Sequence, residues 1–345
     1  MKIIFVIDNH ELKEFLSEKI SEIPNLELLG AVPNLFSIKQ FLFDNKPDVI
    51  ILDIDDVGID SYDYLRKLIQ SEKLAVIAIA PQTQKGKFLA LQMMELGVLD
   101  FVVKPPTDLQ KGTEQMLNEL KEKLNLVNIA KIENILVDDF FSHQIEKTSD
   151  KIDSNKLRNK IVAIGSSSGS IPLIKKFLTR LPKESPGMII ITSLPSGFSK
   201  TFADKMNEIS NVKISEAVNK DLIEPGKVLI APGDLHTKVL KQGNKFSVVV
   251  ENGEKINGQR PSIDVLMHSL AEQCPQNTIG ILLSGDTEDG IHGFLEMKRA
   301  GSKNILVDEK YLVFSTIVEA AKELRAADQI VKPDKLIKTI IDLIN

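Results

Sequence analysis

Residues 161–178 read IVAIGSSSGSIPLIKKFL. An unbroken apolar run leads into a cluster of glycine and serine. Beyond the cluster, apolar positions recur every three to four residues. The run suits a strand buried on both faces, and the spacing after it suits an amphipathic helix. Strand, tight turn, helix is the repeating unit of an α/β sheet.

Working outward, the same alternation fills the second half of the chain. MIIIT (188–192), KVLIA (227–231), FSVVV (246–250), IGILL (279–283) and NILV (304–307) are strand candidates. Helical patterns lie at 170–181, 262–273, 290–299 and 316–325, and DKLIKTIIDLIN (334–345) reads as a closing helix. KVLIAPG through KFSVVVENG has short strands without a helix between them, so a hairpin or small antiparallel edge is expected there. The first half behaves likewise. IIFVI (3–7), DVIIL (48–52), AVIAIA (75–80) and DFVV (100–103) alternate with helical patterns at 11–20, 35–43 and 86–97. A longer helical pattern with i,i+4 charge pairs covers 109–132, and the polar, nearly aperiodic stretch 138–160 reads as a linker. The expectation is two doubly wound parallel-sheet domains, 1–124 and 160–345, joined by 125–159.

Composition narrows the function classes. With Lys plus Arg at 43 and Asp plus Glu at 48, the net charge is −5, which disfavours broad binding to nucleic acid. Trp is absent and aromatics are 5 %, so base-stacking platforms are not expected. The single cysteine, Cys274, excludes a disulfide scaffold and reads as a buried bystander. No apolar run reaches 18 residues, and MKIIFVIDNH reads as a first strand, not a secretion signal. A cytoplasmic protein without membrane insertion is expected.

Two clusters carry chemistry. In open α/β sheets, sites form at the carboxyl ends of strands. Asp8 and Asn9 follow the first strand, Asp53, Asp55 and Asp56 the third, and Lys104-Pro105 the fifth. Gathered carboxylates need a cation, and hard oxygen ligands suit Mg²⁺. Beside Mg²⁺ and a lysine, a carboxylate can attack a phosphoryl group. The plainer alternative is that these Asp residues only form turns. In the second half, Gly165-Ser166-Ser167-Ser168-Gly169 fits G-x-S-x-G, a nucleophile elbow with Ser167 at its centre. An anion-binding loop or a plain tight turn are the alternatives.

The pieces VIDN (6–9), PDVIILDID (47–55) and ELGVLDFVVKP (95–105) resemble a response-regulator receiver domain of flavodoxin-like fold. The resemblance implies Asp53 as phospho-acceptor, Lys104 as phosphoryl contact, and Mg²⁺ held by Asp8, Asp53 and the main chain of Asp55. It places Phe101 at the family's aromatic switch position. Asn9 stands where the family has a second acid and would be a weaker ligand. Ala80 stands where the family has a hydroxyl that senses the phosphoryl group, so weakened switching is expected.

LPSGFSKTFADKMNEIS (194–210), VLIAPGDLH (228–236), INGQRPSIDVL (256–266) and ILLSGDTEDGIHG (281–293) follow in order. Together they resemble the Rossmann-like catalytic domain of the chemotaxis protein-glutamate methylesterase family. That family hydrolyses glutamate methyl esters and deamidates glutamines on chemoreceptors through a Ser-His-Asp triad. The resemblance implies Ser167 as nucleophile and Asp289 as the triad acid. The position of the family's histidine holds Ser193, which has no useful pKa for general-base work. Asp286 and Thr287 replace a Met-Gly pair, Ser170 replaces a second glycine, and Ser315-Thr316-Ile317 replaces a Gly-Met-Pro. The five histidines are His10, His143, His236, His268 and His292. Only His292, three residues after Asp289 and read as sharing its helix face, is considered as a substitute base. The implied partners are chemoreceptor cytoplasmic helices and the chemotaxis histidine kinase, met by a monomer. Reduced or absent esterase activity is expected; the alternatives are a silent binding module and a hydrolase of altered chemistry.

Overall fold

The computed structural model describes residues 1–55, 57–105, 109–134 and 154–345, without the side chains of 59, 109–111, 154, 155 and 168. Asp56, His143 and most of the expected linker lie outside the described residues. The chain forms two compact units, Met1–Leu136 and Val137–Asn345.

The first unit runs β1 (Lys2–Val6), α1 (His10–Ser21), β2 (Glu27–Val32), α2 (Ile38–Asp44), β3 (Val49–Asp53), α3 (Tyr62–Glu72), β4 (Ala75–Pro81), α4 (Gln84–Glu95), β5 (Asp100–Lys104) and α5 (Leu109–Val127). Its five strands are all parallel, in the order β2-β1-β3-β4-β5. This is the flavodoxin-like doubly wound order, whose switch point lies between β1 and β3. β3 is buried along its whole length, as its unbroken apolar run requires. α5 continues to Val127, three residues past the expected domain end at 124.

The second unit opens with α6 (Ser154–Leu157), β6 (Ile161–Ser166), α7 (Ile171–Arg180), β7 (Gly187–Ile191), α8 (Phe198–Ile209), β8 (Lys213–Glu216) and β9 (Lys227–Ile230). It continues with β10 (His236–Gln242), β11 (Lys245–Glu251), α9 (Ile263–Gln273), β12 (Thr278–Ser284), α10 (Ile291–Ala300), β13 (Lys303–Val307), α11 (Thr316–Glu323), β14 (Gln329–Val331) and α12 (Leu336–Ile344). Seven strands form one parallel sheet in the order β14-β13-β12-β6-β7-β9-β8. From β6 the chain first builds toward β7 and later returns to add β12 on the other side. The sheet therefore reverses direction between β6 and β12, and a crevice opens at their carboxyl ends.

The hairpin differs from expectation. KVLIA does not belong to it: β9 is apolar and mostly buried, and it inserts between β7 and β8 as a parallel strand. The hairpin pairs β10 with β11. Its two-residue turn, Gly243-Asn244, has φ +60° at Gly243, the first central position, as a type II′ turn requires.

Candidate active site

Three loops converge where the large sheet reverses. The loop after β6 carries Ser167, the loop after β7 carries Ser193, and the loop after β12 carries Asp289. β6 lies between the other two, with Gly165 in register with Ile191 and Ser166 with Ser284. Cross-links at the strand ends fix the loops. Ser167 N–H donates to the Ser284 carbonyl at 3.0 Å, and Ser166 Oγ donates to the Ile191 carbonyl at 3.1 Å. Ile263 ties the first loop to the third, because its Cγ2 lies 2.5 Å from where a Cβ would stand on either Gly165 or Gly290. Gly290 also has φ +107°, a conformation that glycine adopts without strain, so both space and backbone demand glycine next to Asp289.

Ser167 is buried, and its Oγ makes no hydrogen bond among the described residues. Its carbonyl accepts from Ser170 Oγ at 2.5 Å, so Ser170 braces the elbow. Ser193 is half-buried and reaches neither Ser167 nor Asp289 through a hydrogen bond.

The Asp289 carboxylate accepts three hydrogen bonds from one neighbouring segment. It accepts from Ser262 Oγ at 2.6 Å, Ile263 N–H at 2.6 Å and Asp264 N–H at 3.3 Å. These donors form the start of α9, so Asp289 sits where a helix presents unpaired N–H groups and its positive dipole end. Burial is nevertheless the largest influence and pushes its pKa up to about 6. Ser262 also caps α9 by accepting from Val265 N–H. Its own N–H donates to His236 Nδ1 at 3.3 Å, and His236 Nε2 donates to the Glu254 carbonyl at 2.8 Å. His236 is therefore a buried structural histidine that secures the loop before α9. Neither Ser262 nor His236 stands out by chemistry in the sequence. The signal for Ser262 is its place just ahead of an apolar helical run, the usual position of a cap.

Among the described residues, no other histidine serves Ser167. His292 is exposed and lies inside α10, whereas Asp289 precedes that helix's N-cap, Gly290. The two share no helix face, because the chain turns through a left-handed residue between them. His10 is exposed at the start of α1, and His268 is exposed and paired with Glu296 and Glu272. Cys274 is buried at the end of α9, where burial raises its thiol pKa.

The first unit gathers its own group at the carboxyl end of β3. Asp53 is buried; Lys104 Nζ lies 3.1 Å from its Oδ2 and 2.7 Å from Asp55 Oδ2. Asp53 Oδ1 accepts from Asp55 N–H at 3.2 Å. Burial raises the Asp53 pKa against the lowering pull of Lys104. Lys104 is destabilised by burial, but its bonds to Asp55 and Asp53 outweigh this and hold its pKa above the usual value. Asp53 and Asp8 line one cleft of about 30 Å³. Among the described residues no cluster of three or more His, Cys, Asp or Glu forms a metal site. Two carboxylates on a cleft of ionic size still fit Mg²⁺, which takes one or two carboxylates and fills its shell with water. The Asn9 side-chain oxygen is committed to capping α1 through Leu12 N–H. Ala80 is buried at the end of β4, one residue beyond the partner of Asp53, and Phe101 is buried in β5.

Comparison with known proteins supplies the context. Residues 162–340 match the family model described as CheB methylesterase. A protein-glutamate methylesterase/protein-glutamine glutaminase of Syntrophotalea carbinolica is 32 % identical over 345 residues, covering 100 % of this chain and 98 % of its own length. One from Sulfurimonas denitrificans is 31 % identical, over 95 % of this chain and 94 % of the relative. The crystal structure of the Thermotoga maritima CheB methylesterase catalytic domain superposes with a TM-score of 0.52 at 30 % identity. It covers 53 % of this chain and 98 % of that domain.

Proposed function

The chain belongs to the CheB methylesterase family, and on that premise we propose that it engages glutamate methyl esters and glutamines on chemoreceptor helices with its hydrolytic step much reduced or lost. The observation that carries this reading is the isolation of Ser167. Its buried hydroxyl has no hydrogen-bond partner among the described residues, and the resemblance puts Ser193 at the family's histidine position. Attack by a serine requires a group that takes its proton, and a serine hydroxyl cannot do this near neutral pH. The rest of the apparatus remains. The strand-turn-helix holds Ser167, and Asp289 keeps its place. A carboxylate has about four lone-pair sites, and three donors leave room for one more partner.

The second reading, a catalytically silent module that occupies receptors or the histidine kinase, rests on the same isolation together with Ala80. In the first unit, Asp53 is the acceptor we assign for phosphorylation. Asp8, Asp53 and the main chain of Asp55 would hold Mg²⁺, which neutralises charge on the transferring phosphoryl oxygens. Lys104 keeps a cation beside Asp53, and Ala80 offers no hydroxyl to register the new group.

Methanol release from methylated receptor membranes tests the esterase reading. The unmodified protein is expected to stay near the level of Ser167→Ala. Ser193→His is expected to raise release by about 100-fold or more, the usual contribution of a positioned general base. Release by the unmodified protein that equals Ser193→His and disappears in Ser167→Ala would overturn it.

A further inference from the structure

Helices α2 and α3 of the first unit leave an open groove of about 510 Å³ between them. Leu42 and Phe43 line it from α2, and Tyr64 and Leu68 line it from α3. Phe43 is 91 % exposed, more than any other large apolar side chain among the described residues. Phe36, 57 % exposed, extends the patch and lies against Tyr64 with ring centroids 5.4 Å apart. Aromatic side chains gathered in one open patch are costly to leave in water and mark interaction surfaces.

The rim carries a charge signature. Lys39 on α2 and Lys67 on α3 both border the groove, and neither forms an ion pair among the described residues. Glu72 lies at the far end of α3, so the lining carries a net positive charge on a chain that is negative overall. Two helices flanking an apolar floor offer a groove that takes a third helix, its apolar face down. Unpaired cations on both walls select acidic flanks on that helix and repel basic ones.

We propose that the α2–α3 groove is a docking site for an acidic amphipathic helix of a partner protein. The surface lies within the first unit, apart from Ser167 and Asp53 in the chain, and it uses no residue of either site. Apolar anchors fill the space between Phe43 and Tyr64, and carboxylates meet Lys39 and Lys67.

Fluorescence anisotropy on the full-length protein tests this, with two labelled helical peptides of about four turns. Both carry leucines along one face; one has glutamate on its flanks, the other lysine. The acidic peptide is expected to bind at least about ten-fold more tightly, and less so as salt rises. Phe43→Ser, at a site too exposed to threaten folding, is expected to weaken it about ten-fold or more. Lys39→Glu with Lys67→Glu is expected to reverse the preference between peptides. Equal binding of the two peptides, no binding, or binding unaffected by Phe43→Ser would overturn the proposal. A change from dimer to monomer on Phe43→Ser, read by light scattering of the free protein, would assign the face to a second copy and overturn it as well.

Discussion

Asp289 has a structural role of its own at the start of α9. Its carboxylate accepts three hydrogen bonds from the start of α9 and none from an imidazole. Its pKa, near 6, lies above the ordinary carboxylate value, so the folded state holds this proton more tightly than the unfolded state. The resulting stability is fully present below about pH 4 and is lost as pH rises through 6. Urea unfolding of the unmodified protein and Asp289→Asn, compared from pH 4 to 7, is expected to show the stability difference shift against the unmodified protein. The change is on the order of 3 kcal/mol. A constant difference across that range would contradict the assignment. Ser167, Ser193 and Asp289 were all legible as positions, since each lies in a recognisable motif. The capture of Asp289 by α9 was not, because Ser262 is 27 residues away and the contact exists only after folding.

Between elements, α9 and α10 are joined at two points along their length. Asp264 near the start of α9 accepts from Gly293 N–H in α10 at 2.7 Å. Further along, His268 of α9 bonds Glu296 of α10 and lies 3.3 Å from Glu272. The Glu296 bond raises the His268 pKa most, with smaller help from Glu272 and Asp264 and opposition from burial. A raised histidine pKa stabilises the fold below its unfolded value, and the benefit fades as pH climbs through the folded value above 6.5. His268→Gln is therefore expected to flatten the fall in melting temperature between pH 6 and 8. The pair is half-exposed, so the effect is under about 1 kcal/mol. Strand legibility followed position in the sheets. The buried β1, β3, β6, β7 and β12 announce themselves as unbroken apolar runs. The edge strands β2, β8 and β14 carry a weaker pattern, since one side lacks a ladder and much of their surface meets water. β10 is broken by Lys238 and ends in exposed Lys241 and Gln242, so it offers no continuous apolar run, and the reading of a hairpin from KVLIAPG through KFSVVVENG starts one strand too early.

At the scale of the molecule, two units each carry a sheet, a core and an acidic group at strand ends. On the proposed reading, Asp53 in the first unit accepts a phosphoryl group, while Ala80 offers no hydroxyl to register it. Acetyl phosphate with Mg²⁺ is expected to add one phosphoryl group, removed by Asp53→Asn. Amide spectra of the first unit are expected to change only near β3 and β5. Shifts spreading through α4 on phosphorylation would show that switching survives without the hydroxyl. The division into two α/β units was open to reading from the alternation of runs alone. The order of strands in the larger sheet was not, because the crossing from β9 to β12 leaves no local mark in the residues.

The attachment of Asp289 to α9 also bears on how such a chain changes through descent. A serine and a histidine at position 193 are free to exchange without disturbing any hydrogen bond described here. The aspartate is not free, since losing it would strip the start of a helix. A lineage that stops hydrolysing esters would therefore shed its base first and keep its acid under selection for folding. If the proposed loss of hydrolysis holds, one substitution would separate such a chain from an active one, and the loss need not be permanent.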